Sequence, residues 1–272
     1  MLQAEILAIG NELLLGDVLD TNSHWLCQEL TARGARVRRV VQVRDEAAAI
    51  GEEIRGALAR RAGLIVTTGG LGPTDDDLTL AAVAAALGRP LREHPQALAA
   101  LEERYRLLVE QGFLPDGTIT PPRRKMVTLP EGSTPLANPV GTAPGVLLRE
   151  GPSTLLCLPG VPAEMRAIFE GALAGPLGEI IGQGAYREWS VTVGAGEAAL
   201  APLLRRLTQA HPDVYVKSHA RRIDPRSRLH VRITLSLGGR DQAEVQAGLE
   251  AALEELLRLL AEAGIPVERV ER

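Results

Sequence analysis

The apolar positions of the chain fall in short runs that alternate with amphipathic stretches. Ala4 to Ile9 is an apolar-rich run closed by Gly10, as a buried strand reads. Asp20 and Thr21 then offer N-cap oxygens to an amphipathic stretch reaching Arg33, and Gly34 suits the left-handed position after a helix. The scheme recurs: Arg36 to Val43 reads as a strand and Asp45 as the cap of an Ala-rich helix to Arg61. Leu64 to Thr68 is a third strand, which runs into Gly69-Gly70-Leu71-Gly72-Pro73. A helix from Asp77 to Leu87, stopped by Gly88 and Pro90, precedes another from Pro95 to Gln111. Strands alternating with helices predict an α/β fold of three layers, a mainly parallel sheet with helices on both faces.

The pattern changes after that. Phe113 to Pro122 is turn-rich, and Pro121-Pro122 opens a short helical turn carrying Arg123, Arg124, Lys125 and Met126. Val146 to Leu148 and Thr154 to Leu158 flank Glu150-Gly151-Pro152-Ser153, which predicts an antiparallel hairpin within the sheet. Pro162 is placed to start a helix running past Phe169, and Pro176 to break it. The Gly-rich segment from Gly175 to Gly184 is the expected boundary between a first domain, residues 1–178, and a second, residues 185–272. The second reads as a small α+β unit: strand Glu188 to Val193, helix Glu197 to Ala210, strands Val214 to His219 and Leu229 to Leu237, a helix Asp241 to Ala263, and a closing strand.

Composition narrows the function. Of 272 residues, 45% are hydrophobic and 24% charged, with no apolar run approaching the roughly 18 residues of a membrane span, so a soluble protein with no membrane partner is expected. The start, MLQAEILAIG, has no basic leader, which points to the cytoplasm. Cys27 and Cys157 stand apart from any CxxC or His/Cys cluster, so no thiolate metal site is expected. A net charge of −4 and 3% aromatic residues disfavour nucleic acid as a partner. All the basic residues are arginine except Lys125 and Lys217, whose compact ammonium meets a phosphate differently from a guanidinium fork.

The segment richest in chemistry is Gly69-Gly70-Leu71-Gly72-Pro73-Thr74-Asp75-Asp76-Asp77-Leu78-Thr79, between a strand and a helix start. Glycines let backbone N–H groups approach an anion closely, and the helix end adds positive partial charge, so the loop suits a phosphate. Consecutive carboxylates would repel that phosphate unless a hard divalent cation bridges the two. The ordinary alternative is a βα turn with Asp77 as an N-cap.

In an open α/β sheet, ligands sit at the carboxyl ends of the strands, where the polar loops of this chain fall. The first loop supplies Gly10, Asn11, Glu12 and Asp20-Thr21-Asn22, the second Asp45, the third the glycine loop. Asp20 and Asp45 singly read as helix caps and jointly as an acidic pocket. Two further loops offer exposed backbone: Asn138-Pro139-Val140-Gly141-Thr142-Ala143-Pro144-Gly145, a candidate phosphate or ribose clamp, and Leu158-Pro159-Gly160-Val161-Pro162-Ala163-Glu164-Met165, a candidate platform for a base or pterin. Their plain readings are a rigid connection and, for Glu164, a first-turn helix acid.

Together GNELLLGDVLDTN, GGLGPTDDDLT, NPVGTAPG and LPGVPAEM resemble the CinA family of competence/damage-inducible proteins, whose first domain has the molybdopterin-binding fold of MogA and MoeA. The resemblance runs from near the start to about Met165, and Lys217-Ser218-His219 is similar to a strand of the family's small second domain. It implies a MogA-like first domain, a KH-like second one and a nucleotide-type pocket. It also implies that Asp45 and Asp77 are functional acids, with Asp20 from the DTN motif and Asp76 beside them. Several family members act as divalent-metal-dependent ADP-ribose pyrophosphatases, and a similar domain in FAD synthases is associated with FAD hydrolysis. Two departures stand out: Arg123 and Met126 replace an Asn-x-x-Gln of many members, and the nicotinamide-mononucleotide deamidase domain of longer members has no counterpart in the sequence, so deamidation is not expected.

The expected activity is hydrolysis of a nucleotide pyrophosphate such as ADP-ribose or FAD. Asp45, Asp76 and Asp77 would hold Mg²⁺, Mn²⁺ or Co²⁺, Gly70 and Gly72 amides would stabilise the oxygens, and Lys125 would add charge. The alternatives are molybdopterin binding or adenylylation, and a non-catalytic nucleotide sensor. A homo-oligomer is expected. The basic stretch from Lys217 to Arg232 raises RNA binding, but the G-x-x-G clamp of a KH module is missing, because Gly238-Gly239 follows a strand.

Overall fold

The structure is a computed structural model that describes residues 2–182, 184–221, 230–239 and 241–272. The chain forms two units, one built mainly from Leu2–Leu30 and Arg36–Gly182, the other mainly from Gln183–Arg272.

In chain order the first unit comprises β1 (Gln3–Ile9), α1 (Asn11–Leu15), α2 (Thr21–Ala32), β2 (Arg36–Val43), α3 (Ala47–Ala59), β3 (Leu64–Thr68), α4 (Thr79–Leu87), β4 (Leu91–Glu93) and α5 (Pro95–Glu110). It continues with α6 (Pro121–Lys125), β5 (Thr128–Pro130), β6 (Thr134–Leu136), β7 (Gly145–Glu150), β8 (Ser153–Leu158), α7 (Pro162–Leu173) and α8 (Pro176–Ile181). Six strands form one sheet in the order β2-β1-β3-β8-β7-β6. The first four are parallel, while β7 pairs antiparallel with β8 and with β6, so the expected hairpin is present.

The central strands β1, β3 and β8 are buried on both faces, as their apolar runs require, whereas the edge strand β2 is largely exposed. On one face Leu7, Ile9 and Ile65 join a core with Ile50 and Ile54 of α3, Val83 of α4 and Leu101 of α5. The alternate residues Ile6 and Ala8 are equally buried. On the α2 and α7 side Trp25 meets Phe169 edge-on, ring centroids 5.3 Å apart. Each large aliphatic side chain withdrawn from water contributes about 1.5–3 kcal/mol, which holds the helices against the strands without further bonds. Pro176 ends α7 as expected and opens α8.

Elements too short for a period escape the sequence reading. These are the five residues of α1, the exposed three-residue β4 that pairs with β5, and β6 at the sheet edge.

The second unit comprises β9 (Ala185–Val193), α9 (Glu197–Ala210), β10 (Tyr215–Arg221), β11 (His230–Gly239), α10 (Gln242–Glu262) and β12 (Val267–Glu271). Its strands form an antiparallel sheet, β10-β11-β9-β12, with Val191 and Ile233 sharing a core with Leu200 of α9 and Leu253 of α10. This βαββαβ connectivity is the split βαβ arrangement, with both helices in one core. The KH-like expectation is not borne out: among the described residues strands separate the helices, so there is no helix pair for a G-x-x-G loop to join. Leu229, expected to open β11, and half of the basic stretch, residues 222–229, lie outside the described residues.

Candidate functional site

Chain order makes β1 a switch point: the chain leaves it towards β2 and returns on its other side as β3. Register then sets Ile9 beside Val43, Ala8 beside Thr68, and Thr68 beside Leu158. The loops that follow β1, β2, β3 and β8 therefore emerge side by side at the carboxyl edge, where open α/β sheets bind ligands. A cleft of about 430 Å³ opens there, lined by Gly10, Glu12, Asp45, Gly69, Gly70, Leu71, Gly72, Pro73, Asp76, Asp77, Met126, Thr142, Ala143, Pro159, Gly160, Val161 and Glu164.

The glycine loop is shaped by contacts that exclude side chains. A Cβ on Gly69, whose φ is +108°, would lie 2.1 Å from the Ile9 carbonyl oxygen, so only glycine lets β1 and β3 end this close. The Thr79 hydroxyl donates to the Gly69 carbonyl at 2.7 Å, and the Thr79 amide to the Gly70 carbonyl at 3.2 Å. The N–H groups of Gly70, Leu71 and Gly72 donate to no acceptor among the described residues. Successive free amides of this kind make a concave anion-binding nest.

Acidic side chains face the nest. Asp45 is not the cap of α3, where Glu46 stands; its Oδ2 accepts the Asn11 amide at 2.8 Å, tying the second loop to the first. Burial pushes the Asp45 carboxyl above its ordinary value; the Asn11 amide opposes this, and the charges of Glu12, Asp76 and Asp77 add to it. Asp77 is not the N-cap of α4, where Leu78 stands; its Oδ2 accepts from the Thr74 amide at 2.8 Å and the Thr74 hydroxyl at 2.6 Å. The same hydroxyl lies in hydrogen-bonding contact with Asp76 Oδ1. That hydroxyl, with Lys125 nearby, holds the Asp76 carboxyl below the ordinary range. Lys125 Nζ donates to the Thr74 carbonyl, which brings the ammonium to the loop as the sequence suggested.

Other expected residues take different roles. Asp20 caps α2, its Oδ1 accepting the Ser23 amide at 2.9 Å, and its Oδ2 accepts from Gln42 at 3.3 Å. With Thr21 and Asn22 it lines a smaller pocket next to the main cleft, so the jointly acidic pocket does not include it. Asn22 is buried and braces two loops, donating to Thr68 Oγ1 at 3.0 Å and to the Gly160 carbonyl at 2.7 Å. Asn138 is a brace as well: its Nδ2 donates to Glu164 Oε2 at 2.6 Å and to the Ala143 carbonyl at 2.8 Å, while its Oδ1 accepts the Gly141 amide at 2.7 Å. Glu164 thus positions the loop that brings Thr142 and Ala143 to the cleft. Pro144 lines a pocket on the other side of that loop, and Gly145 is a packing glycine, since a Cβ there would lie 2.6 Å from Ile168. Lys217 pairs across β10 and β11 with Thr234, in the second unit.

Sequence reasoning missed Arg104, whose Nε donates to the Gly141 carbonyl at 3.0 Å. Nothing in its helix pattern distinguishes it from other arginines on α5. The three-aspartate metal site is not preformed: among the described residues, no group of three or more His, Cys, Asp or Glu is arranged to hold an ion. The donors present suit a hard cation that takes one or two carboxylates and completes its shell with ligand phosphate and water. No helix of the described residues is long and apolar enough to cross a membrane.

Residues 5–178 match the family model described as a probable molybdopterin binding domain. A protein of Aeropyrum pernix is 43% identical over 96% of this chain and 95% of its own length, and a protein of Pyrobaculum aerophilum is 42% identical over 94% of both. Among solved structures, the CinA protein of Thermoplasma acidophilum, described as of unknown function, is 37% identical, with a TM-score of 0.58 over 65% of this chain and 98% of its own.

Proposed function

Because the chain belongs to the molybdopterin-binding-domain family, we propose that the cleft binds a small phosphate-bearing pterin or nucleotide and, with a divalent cation, cleaves a pyrophosphate link. The likeness to the Thermoplasma acidophilum protein favours a CinA-like branch of that family. The observation that carries the reading is the pairing of opposites on one rim. Free amides of Gly70, Leu71 and Gly72 call for an anion, and Asp45, Asp76 and Asp77 beside them call for a cation.

The amides bind phosphate oxygens and stabilise charge that develops on them during cleavage. Asp45 with Asp76 or Asp77 would hold the cation, which when bound neutralises phosphate charge and polarises the phosphorus–oxygen bonds. Lys125 Nζ, at the Thr74 carbonyl, adds a second positive charge at the loop's outer edge. Met126, Val161 and Pro159 supply apolar wall for a planar ring.

The test incubates the full chain with ADP-ribose and with FAD, with and without Mg²⁺, Mn²⁺ or Co²⁺. AMP release that needs the cation and falls at least about 100-fold in D45N is the expected result. Binding without AMP release removes the hydrolytic step, and absence of binding by either ligand or by a pterin removes the proposal.

A further inference from the structure

At the opposite, amino-terminal end of the same strands lies a second cleft, of about 480 Å³, lined by Gln3, Glu5, Arg38, Arg39, Arg60 and Ala62. Its floor is a buried acid. Glu5, 5% exposed, is held by Arg60, whose Nε reaches Oε1 at 2.9 Å and whose Nη2 reaches Oε2 at 2.7 Å. This fork locks the Arg60 guanidinium in one orientation at the cleft wall, so little side-chain entropy is left to lose on binding.

The opposite wall depends on an irregularity. Ala4 is registered with Val37 but Glu5 with Arg39, so β2 has one extra residue, Arg38, at that step. In a regular strand Arg38 and Arg39 would project to opposite faces; the bulge brings both to the one cleft. Arg38 leans on Gln3 Oε1 at 3.2 Å, and Arg39 has no hydrogen bond or ion pair among the described residues. Three guanidiniums thus surround one carboxylate lining the cleft, with the Glu53 carboxylate a further 3.8 Å contact of Arg60. The balance remains positive, and the one unpartnered cation is exposed.

We infer that this cleft binds the phosphate group of a small phosphorylated metabolite, with Arg38 and Arg39 as donors and Arg60 as the fixed third one. The volume fits a small molecule, and bulged strands commonly re-aim side chains next to functional sites. The site stands apart from the carboxyl-edge cleft and does not rest on the function proposed for it.

The test treats the full chain with phenylglyoxal in the presence of inorganic pyrophosphate, ribose 5-phosphate or malonate, and maps modified arginines by peptide mass spectrometry. Both phosphate probes are expected to protect Arg39, and malonate to protect it less. Calorimetric titration of pyrophosphate should show one binding event that survives D45N and weakens at least about tenfold in R38Q/R39Q. Both replaced side chains are exposed, so the melting temperature should stay unchanged and serve as the folding control. Unprotected Arg39, equal protection by malonate, or pyrophosphate affinity within about twofold of the parent in R38Q/R39Q would each overturn the inference.

Discussion

Gly141 and Glu164 are coupled in a way that a double-mutant cycle can measure. A Cβ built on Gly141 would lie 2.0 Å from Glu164 Oε2 and 2.1 Å from its Cδ, so G141A must expel the carboxylate. Expulsion breaks the 2.6 Å bond from Asn138 Nδ2, and with it the side chain that also receives the Val140 and Gly141 amides at 3.0 and 2.7 Å. A hydrogen bond to a charged group contributes about 1.5–3 kcal/mol, so G141A should cost about 2 kcal/mol in urea unfolding, and E164A about the same. The double variant should cost little more than either, because the glycine matters only while the carboxylate is there. In the E164A background, then, G141A should cost less than about 0.5 kcal/mol. Hydrogen exchange gives the local readout: the Val140 and Gly141 amides should exchange faster in both single variants. If the two costs simply add, Glu164 does not hold this loop, and Thr142 and Ala143 reach the cleft for another reason.

Three further outcomes are expected. The folded Asp45 carboxyl titrates above its ordinary value of 3.8, so its charge destabilises the fold above that raised value and the penalty is relieved as pH falls through it. D45N should accordingly raise the urea midpoint at pH 7, lose the gain below the ordinary carboxylate range, and abolish cation-dependent ligand binding; an unchanged midpoint at both pH values would contradict the shift. G69A should cost roughly 3 kcal/mol or more in thermal melting, since its Cβ would strike a backbone carbonyl and φ is +108°. Burial pushes the Cys157 thiol up to about 11, so at pH 8 it should resist thiol reagents until the protein is unfolded, with any slow labelling confined to half-buried Cys27.

The main elements of the first unit were legible because their residues carry a period. Arg36–Val43 and Leu64–Thr68 have the bounds expected of them as strands, and α7 starts at Pro162 because proline is pre-set for a first helical turn. Asp20 was legible as a cap because capping is local. For Asp45 and Asp77 the sequence left a cap reading open beside the functional one, because they stand where a cap would, but their partners are Asn11, 34 residues away, and a threonine inside the loop. No spacing rule ranks such a partner above the nearest helix end.

Composition and periodicity determined by themselves that strands and helices alternate, that the sheet is mainly parallel, and that glycine-rich and acidic loops follow strand ends. Those are properties of neighbours in the chain. Only the tertiary structure decided which loops meet, because that depends on strand order and register: β1 between β2 and β3 brings Asp45, Gly70 and Asp77 to one cleft while leaving Asp20 as a helix cap and Asn138 as a brace. The same holds at the other end of β1, where one extra residue in β2 turns two consecutive arginines, ordinarily directed to opposite faces, towards a common buried acid.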